Sequence, residues 1–284
     1  MRVLVLGASG MLGNAMIRIL SECNDWDVYG TIRSESCKRF FRSDIAFNLI
    51  SDVDVEQQNS LIDVFNKTQP DVVINCIGLV KQLAVCDEPL AAISINALLP
   101  HRLAKLCEAG GARLVQISTD CIFSGSKGLY SETDFADASD LYGRSKYLGE
   151  VDYPHAITLR TSIIGHELNS AHSLISWFLA QSESVKGFTR AIFSGLPTVE
   201  VARVIRDYVI PHPELHGVYH LAAMPINKFD LLKLVANTYD KKIDILSDDK
   251  LVIDRSLNGN KFQLATGYAA PAWPDLIKLM NLYK

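Results

Sequence analysis

Arg2-Val3-Leu4-Val5-Leu6-Gly7-Ala8-Ser9-Gly10-Met11-Leu12-Gly13 sets the reading of the whole chain. A run of Val and Leu leads straight into three glycines spaced G-x-x-G-x-x-G, and Ala15, Met16, Ile19 and Leu20 then recur at helical spacing. Strand, glycine turn and helix in that order read as a dinucleotide-binding turn. Glycine has no Cβ, so the backbone can bend sharply and come close to a pyrophosphate. The helix N-terminus then aims unpaired N–H groups and its positive dipole end at the phosphates. Gly7, Ser9, Gly10, Met11, Leu12 and Gly13 are the residues expected to line it.

Working outward, residues 2–6, 28–32, 47–50, 72–76, 114–117 and 157–160 read as strands, and 59–67, 90–107 and 142–152 as helices. The βαβα order predicts an α/β fold with a doubly wound parallel sheet, whose strands are near-continuous apolar runs because both faces are covered. After residue 160 the alternation loosens, with a helix over 199–210 and a strand over 217–222 that can rejoin the sheet. The expected organisation is a dinucleotide-binding domain over 1–160, rejoined by 199–224, with a smaller C-terminal substrate-binding lobe built from 161–198 and 225–284. Ligands of such sheets bind beyond the carboxyl ends of the strands, so the cleft is expected between sheet and lobe.

Composition narrows the partners. With 284 residues, 48% hydrophobic and 21% charged, the chain has an ordinary globular balance. A net charge of −4 offers no general attraction to nucleic acid or to an anionic membrane. No apolar run approaches the about eighteen residues of a spanning helix, and no signal-peptide pattern is present, so a cytoplasmic location is expected. Cys23, Cys37, Cys76, Cys86, Cys107 and Cys121 form no C-x-x-C pair and read as buried reduced thiols. His212, His216 and His220 recur every four residues, but Pro211, Pro213 and Gly217 break the segment, so the rings diverge and no metal site is expected.

The chemistry-bearing pair is Tyr142 and Lys146, one turn apart on a predicted helix. A phenol with a pKa of about 10 exchanges protons poorly at neutral pH, and an adjacent ammonium brings it toward the working range. Some two dozen residues upstream, the strand reaching Ser118, Thr119 and Asp120 ends in hydroxyls, one of which can hydrogen-bond a substrate oxygen at the mouth of the cleft. Where NAD-preferring chains place an acid about twenty residues past the glycine turn, this chain has Thr31-Ile32-Arg33-Ser34. Arg33 offers planar donors to a 2′-phosphate, with Lys38 and Arg39 nearby, so NADPH is expected to be preferred, with NADH also accepted.

Taken together, Gly7-x-x-Gly10-x-x-Gly13, Asn75-Cys76-Ile77-Gly78, Asn96, Ser118-Thr119-Asp120 and Tyr142-x-x-x-Lys146 resemble an extended short-chain dehydrogenase/reductase with a Rossmann-type fold. More narrowly, Ser-Thr-Asp-x-x-Phe-x-Gly at 118–125, Glu132-Thr133-Asp134, Leu148-Gly149-Glu150, Arg160-Thr161-Ser162 and Ser256-Leu257-Asn258 resemble dTDP-4-dehydrorhamnose reductases and related sugar-nucleotide reductases. The resemblance implies reduction of a 4-keto group on a nucleotide-activated 6-deoxysugar, in the synthesis of cell-surface polysaccharide precursors. In that scheme Thr119 polarises the keto oxygen, Tyr142 delivers the proton, and Lys146 holds the nicotinamide ribose and tunes Tyr142. It also assigns cofactor contacts to Arg33, Asp54, Val55, Cys76, Ile77, Gly78, Asn96, Tyr142 and Lys146, and substrate contacts to Lys81, Thr119, Arg190 and Arg255.

Two departures stand out. Rhamnose-forming relatives usually carry an aromatic residue after Arg-Thr-Ser, whereas Ile163-Ile164-Gly165-His166 follows here, so a UDP-N-acetyl-6-deoxy-4-ketohexosamine is an alternative substrate. The related 4,6-dehydratases carry an acid directly after Thr-Asp, where this chain has Cys121. A reading of another class is a non-catalytic, NADP-binding regulatory subunit, as in a relative that serves methionine adenosyltransferase. An epimerase is a further rival, and a homodimer is left open.

Overall fold

Alternation along the first strand places the sheet before any pairing is considered. Val3 and Val5 enter one apolar cluster and Leu4 and Leu6 the other, so β1 (Arg2–Leu6) is buried on both faces. The structure, a computed structural model, describes residues 1–79, 87–169 and 171–284. In it, β1 is joined by β2 (Asp27–Thr31), β3 (Leu49–Ile50), β4 (Val72–Asn75), β5 (Arg113–Thr119) and β6 (Ala156–Thr161). Four short strands follow: β7 (Ile163–Ile164), β8 (Val185–Phe188), β9 (Ala191–Phe193) and β10 (Leu196–Pro197). Then β11 (Gly217–His220) returns to complete a seven-stranded sheet of order β3-β2-β1-β4-β5-β6-β11, parallel throughout. The order reverses between β1 and β4, which opens a crevice at their carboxyl ends.

Helices cover both faces. α1 (Met11–Leu20) packs on the Val3/Val5 side. α2 (Ser43–Phe47) is a short helix ahead of β3, and α3 (Gln58–Thr68) packs on the Leu4/Leu6 side. One long helix then runs from α4 (Pro89–Ala92) through a π-widened turn over Ile93–Leu98 into α5 (Leu99–Gly110). Pro89 at its first turn, Glu88 accepting from Ala91 N–H at 2.7 Å, and Gly111 in the left-handed region at the far end account for its limits. After α6 (Leu141–Leu148) and α7 (Leu174–Ala180), α8 (Thr198–Val204) packs with α1.

The expectations for two segments change. Residues 47–50 do not form a four-residue strand: Asp44 lies in the first turn of α2, where an acid suits the helix dipole, and accepts from Arg42 at 2.7 Å; Phe47 ends that turn exposed, and only Leu49 and Ile50 pair, at the sheet edge. The helix expected over 142–152 stops at Leu148, because Gly149 caps it and the chain turns to bury Glu150. The remaining elements are β12 (Ile226–Asn227), α9 (Lys228–Thr238), β13 (Ile245–Asp248), β14 (Ile253–Asp254), α10 (Asn260–Thr266) and α11 (Trp273–Leu282). They join the short strands in small sheets, β12-β9-β14 and β13-β8, while β10 pairs β7. Among the described residues no helix is long and apolar enough to cross a membrane.

Candidate active site

The glycine turn closes on itself. Gly7 sits at φ 79°, where only glycine is unstrained, and its N–H donates to Thr31 Oγ1 at 3.1 Å. A Cβ on Gly13 would collide with the Gly7 carbonyl oxygen, so helix and strand approach as closely as two backbones can. Ser9, Met11 and Leu12 follow the same turn, and Gly10 has no side chain with which to cap α1. The first-turn N–H groups of α1 therefore suit a pyrophosphate in both space and polarity.

Beside it, Arg33 is exposed just past β2, and Ser34 caps a 3₁₀ turn through its hydroxyl. The local positive charge is smaller than the sequence suggests. Lys38 is paired with Glu35 at 3.1 Å, and the Arg39 guanidinium lies over the Phe40 ring, whereas Arg33 is exposed just past β2. Asp54 and Val55 lie beyond β3, with the Asp54 carboxylate accepting from Glu56 N–H at 3.0 Å.

The ends of β4 and β5 meet α6. Asn75 donates to Gln116 across paired positions at 2.8 Å, and its Oδ1 accepts from Ile77 N–H at 3.1 Å, which fixes the Cys76-Ile77-Gly78 turn. Asn96, in the π-widened turn, accepts from Leu79 N–H at 2.9 Å and donates to Ser145 Oγ at 3.2 Å. A Cβ on Gly78 would lie 3.4 Å from Asn96 Oδ1 and 3.6 Å from Lys146 Nζ, so Gly78, Asn96 and Lys146 converge. Lys146 is buried and donates from Nζ to Ile117 O at 2.8 Å. Burial pushes its ammonium down to about 8, and Glu150 opposes that shift.

α6 is seated by glycines at both ends. A Cβ at Gly143 would strike the Cys121 carbonyl oxygen, and one at Gly149 the Asn96 carbonyl oxygen. This contact packs the start of α6, with half-buried Tyr142 one turn before Lys146, on the turn that follows Thr119. The Thr119 hydroxyl is engaged within that turn. It donates to Asp120 Oδ1 at 3.2 Å and accepts from Cys121 N–H at 3.1 Å, so it must rotate before it can donate to a ligand. Burial raises the Asp120 carboxyl, and the charges of Arg255 and Lys228 oppose it.

Arg255 reaches this region. Its Nε donates to Phe123 O at 2.7 Å, and Nη1 lies 3.8 Å from Cys121 Sγ. Arg190 does not share this position: its side chain is exposed at the start of β9, and its backbone carbonyl accepts from Ile253 N–H. Lys81 lies outside the described residues. Lys228, at the first turn of α9, adds positive charge that acts on Asp120 and carried no sequence signal. The histidines diverge, His212 to Tyr208 O and His220 to Tyr130 O, and no group of three metal-ligating side chains occurs among the described residues. Cys23, Cys37, Cys76 and Cys121 are only partly buried, Cys107 fully, and none of these five is in a disulfide; Cys86 lies outside the described residues.

Sheet order, glycine turn and tyrosine–lysine helix define an extended short-chain dehydrogenase/reductase. The chain belongs to the family described as the RmlD substrate binding domain, whose model matches residues 1–250. Among curated relatives it is 29% identical over 252 residues to the methionine adenosyltransferase 2 subunit beta of Danio rerio, covering 84% of this chain and 74% of that protein. It is 25% identical over 270 residues to a probable low-salt glycan biosynthesis reductase, Agl14, of Haloferax volcanii, covering 90% and 84%. Among solved structures, the dTDP-4-dehydrorhamnose reductase of Bacillus anthracis in complex with NADP superposes with a TM-score of 0.80 at 21% identity, covering 100% of this chain and 98% of that one. That of Clostridium acetobutylicum gives 0.81 at 22%, covering 100% and 99%.

Proposed function

We propose that this protein is an NADPH-dependent reductase of a 4-keto-6-deoxysugar carried on a nucleoside diphosphate. The observation that carries this reading is the convergence of Gly78, Asn96 and Lys146 beside Tyr142 and Thr119, at the carboxyl ends of β4 and β5 and next to the glycine turn. The turn would hold the pyrophosphate on the N–H groups of α1, with Arg33 and Ser34 at the 2′-phosphate and Asp54 and Val55 toward the adenosine. When bound, the nicotinamide supplies a hydride. Lys146, whose Nζ also donates to Ile117 O, would hold the adjoining ribose and keep positive charge near Tyr142. Tyr142 gives its proton to the carbonyl oxygen as charge grows there, and the rotated Thr119 hydroxyl donates a second hydrogen bond. Arg255, with Lys228 near it, offers charge to the diphosphate of the substrate.

Support for the sugar-nucleotide class comes from the family and from the relatives named for glycan and dTDP-sugar reduction. The test mixes purified protein with NADPH and a panel of dTDP-, UDP-, GDP- and CDP-linked 4-keto-6-deoxysugars, including N-acetylated ones, and follows absorbance of the reduced nicotinamide. Consumption with one member identifies the base and the sugar. The likeness to methionine adenosyltransferase beta subunits favours a second reading, a non-catalytic regulatory subunit. Tight NADPH binding without turnover on any member of the panel would select it.

A further inference from the structure

Parallel register places Ser118 of β5 beside Arg160 of β6, and Arg160 beside His220 of β11. All three are buried at the carboxyl end of the sheet; Glu150, just past the end of α6, reaches Ser118 and Arg160, while the Glu132 carboxylate accepts from His220 N–H at 2.8 Å. Arg160 grips Glu150 with two parallel bonds, Nε to Oε1 at 2.9 Å and Nη2 to Oε2 at 2.7 Å, and Ser118 Oγ donates to Oε1 at 2.6 Å. The remaining Arg160 nitrogen, Nη1, lies 3.2 Å from His220 Nε2. Arginine only donates, so Nε2 accepts and the proton sits on Nδ1, which donates to Tyr130 O at 2.9 Å.

The position of this network matters more than its strength. Ile117, which takes the Lys146 ammonium, and Ser118, which takes Glu150, are consecutive on β5, and Thr119 follows them. Glu150 is four residues beyond Lys146, so strand and helix are joined at two points one turn apart. Among the described residues Glu150 is the charged group acting on Lys146. The other titratable groups at this end include Tyr142 on the same helix, Cys76 past β4, Asp120 past β5, and Arg160 with His220 and Glu132 on its far side.

We infer that Glu150, held by Arg160 and Ser118, is a positioning residue of the site: it fixes the end of α6 against β5 and supplies the counter-charge of the Lys146 ammonium. A replaceable structural ion pair would do the first without the second. The inference deepens the reductase reading and rests on it for its functional meaning, but its test does not depend on turnover.

Removing one partner leaves a buried charge unpaired, so the informative variant is the double Glu150→Gln/Arg160→Met, which removes both charges and keeps similar volumes. Lys146 is titrated by NMR of protein carrying ¹⁵Nζ-lysine, with Lys146→Arg assigning the signal, and NADPH affinity is measured across the same pH range. Loss of the carboxylate lowers the Lys146 midpoint and loss of the guanidinium opposes this; because Glu150 and not Arg160 is the charge acting on the Lys146 ammonium, the midpoint in the double variant is expected to fall, by up to about one pH unit, and NADPH affinity to weaken at correspondingly lower pH. An unchanged midpoint would overturn the inference. Ser118→Ala is the second variant and carries the test where the double variant fails to fold. It strips a donor from the carboxylate and concentrates its charge, so the midpoint is expected to rise; no rise, or a fall, counts against the inference. A shifted midpoint in a protein that reduces none of the sugar nucleotides would leave this inference standing and overturn the reductase reading instead.

Discussion

At the scale of single residues, Tyr142 and Arg33 test separate halves of the proposed site. Tyr142→Phe keeps the ring in its place on α6 and removes the hydroxyl. Turnover is expected to fall by about a hundredfold or more, as when a general acid is lost, with NADPH affinity little changed. Initial rates and a cofactor titration on the same preparation check both parts, and near-normal turnover would refute the assignment. Arg33 is exposed and, with Lys38 held by Glu35, is a cation available to a 2′-phosphate. Arg33→Ala is expected to weaken NADPH by about ten- to a hundredfold while sparing NADH; equal losses for both would show that Arg33 does not read the phosphate. Lys146 adds a pH dependence. Its ammonium, pushed down to about 8 by burial, is charged below that value and neutral above it. NADPH affinity is therefore expected to decline as pH rises through about 8, and a flat profile to pH 9 would contradict this.

Among elements, α6 is placed by what it lacks. Gly143 and Gly149 let its two ends touch the carbonyls of Cys121 and Asn96, and a methyl group at either must push the helix outward. Gly149→Ala is expected to cost about 1–3 kcal/mol and to lower NADPH affinity, as read by urea unfolding and titration. Gly110→Ala, where nothing lies within 4 Å of the added methyl, is the control and is expected to be neutral or slightly stabilising. The same helix shows how far the sequence could be read. Its start, the Tyr142/Lys146 spacing, the glycine turn and the central strands follow from period and glycine placement, which are local signals. Its end at Leu148 does not, because Glu150 leaves the helix for a partner ten residues later on another strand. The π-widened turn at Asn96 and the action of the Lys228 charge on Asp120 are likewise settled by packing between distant segments. The sequence period at 47–50 misled for the opposite reason: an edge strand of two residues is too short to outweigh a local helical turn.

For the molecule as a whole, the buried polar row couples the site to stability. His220 is fully buried, and desolvation first, then the charge of Arg160, push its imidazole down to about 3. The unfolded chain takes this proton near pH 6.5, so between those values folding must expel it and stability falls as the pH falls. By pH 5 the loss from this residue is expected to be on the order of 2 kcal/mol. Urea midpoints at pH 7 and pH 5 measure it, and His220→Gln is expected to flatten the slope; an unchanged slope would remove His220 as the cause. Near the end of the chain, Asp254 N–H donates to Gly125 O, Ser256 O accepts from Tyr130 N–H, and Arg255 holds Phe123 O. The segment over residues 123–130, which follows the Thr119–Cys121 turn, is thus tied down by Asp254 at the end of β14 and by Arg255 and Ser256 just beyond it. During synthesis, then, a nascent chain can assemble its glycine turn early, yet the 123–130 segment cannot be pinned until residue 256 has emerged. A messenger truncated shortly before that codon would yield a chain with its glycine turn encoded and this segment left without its anchors.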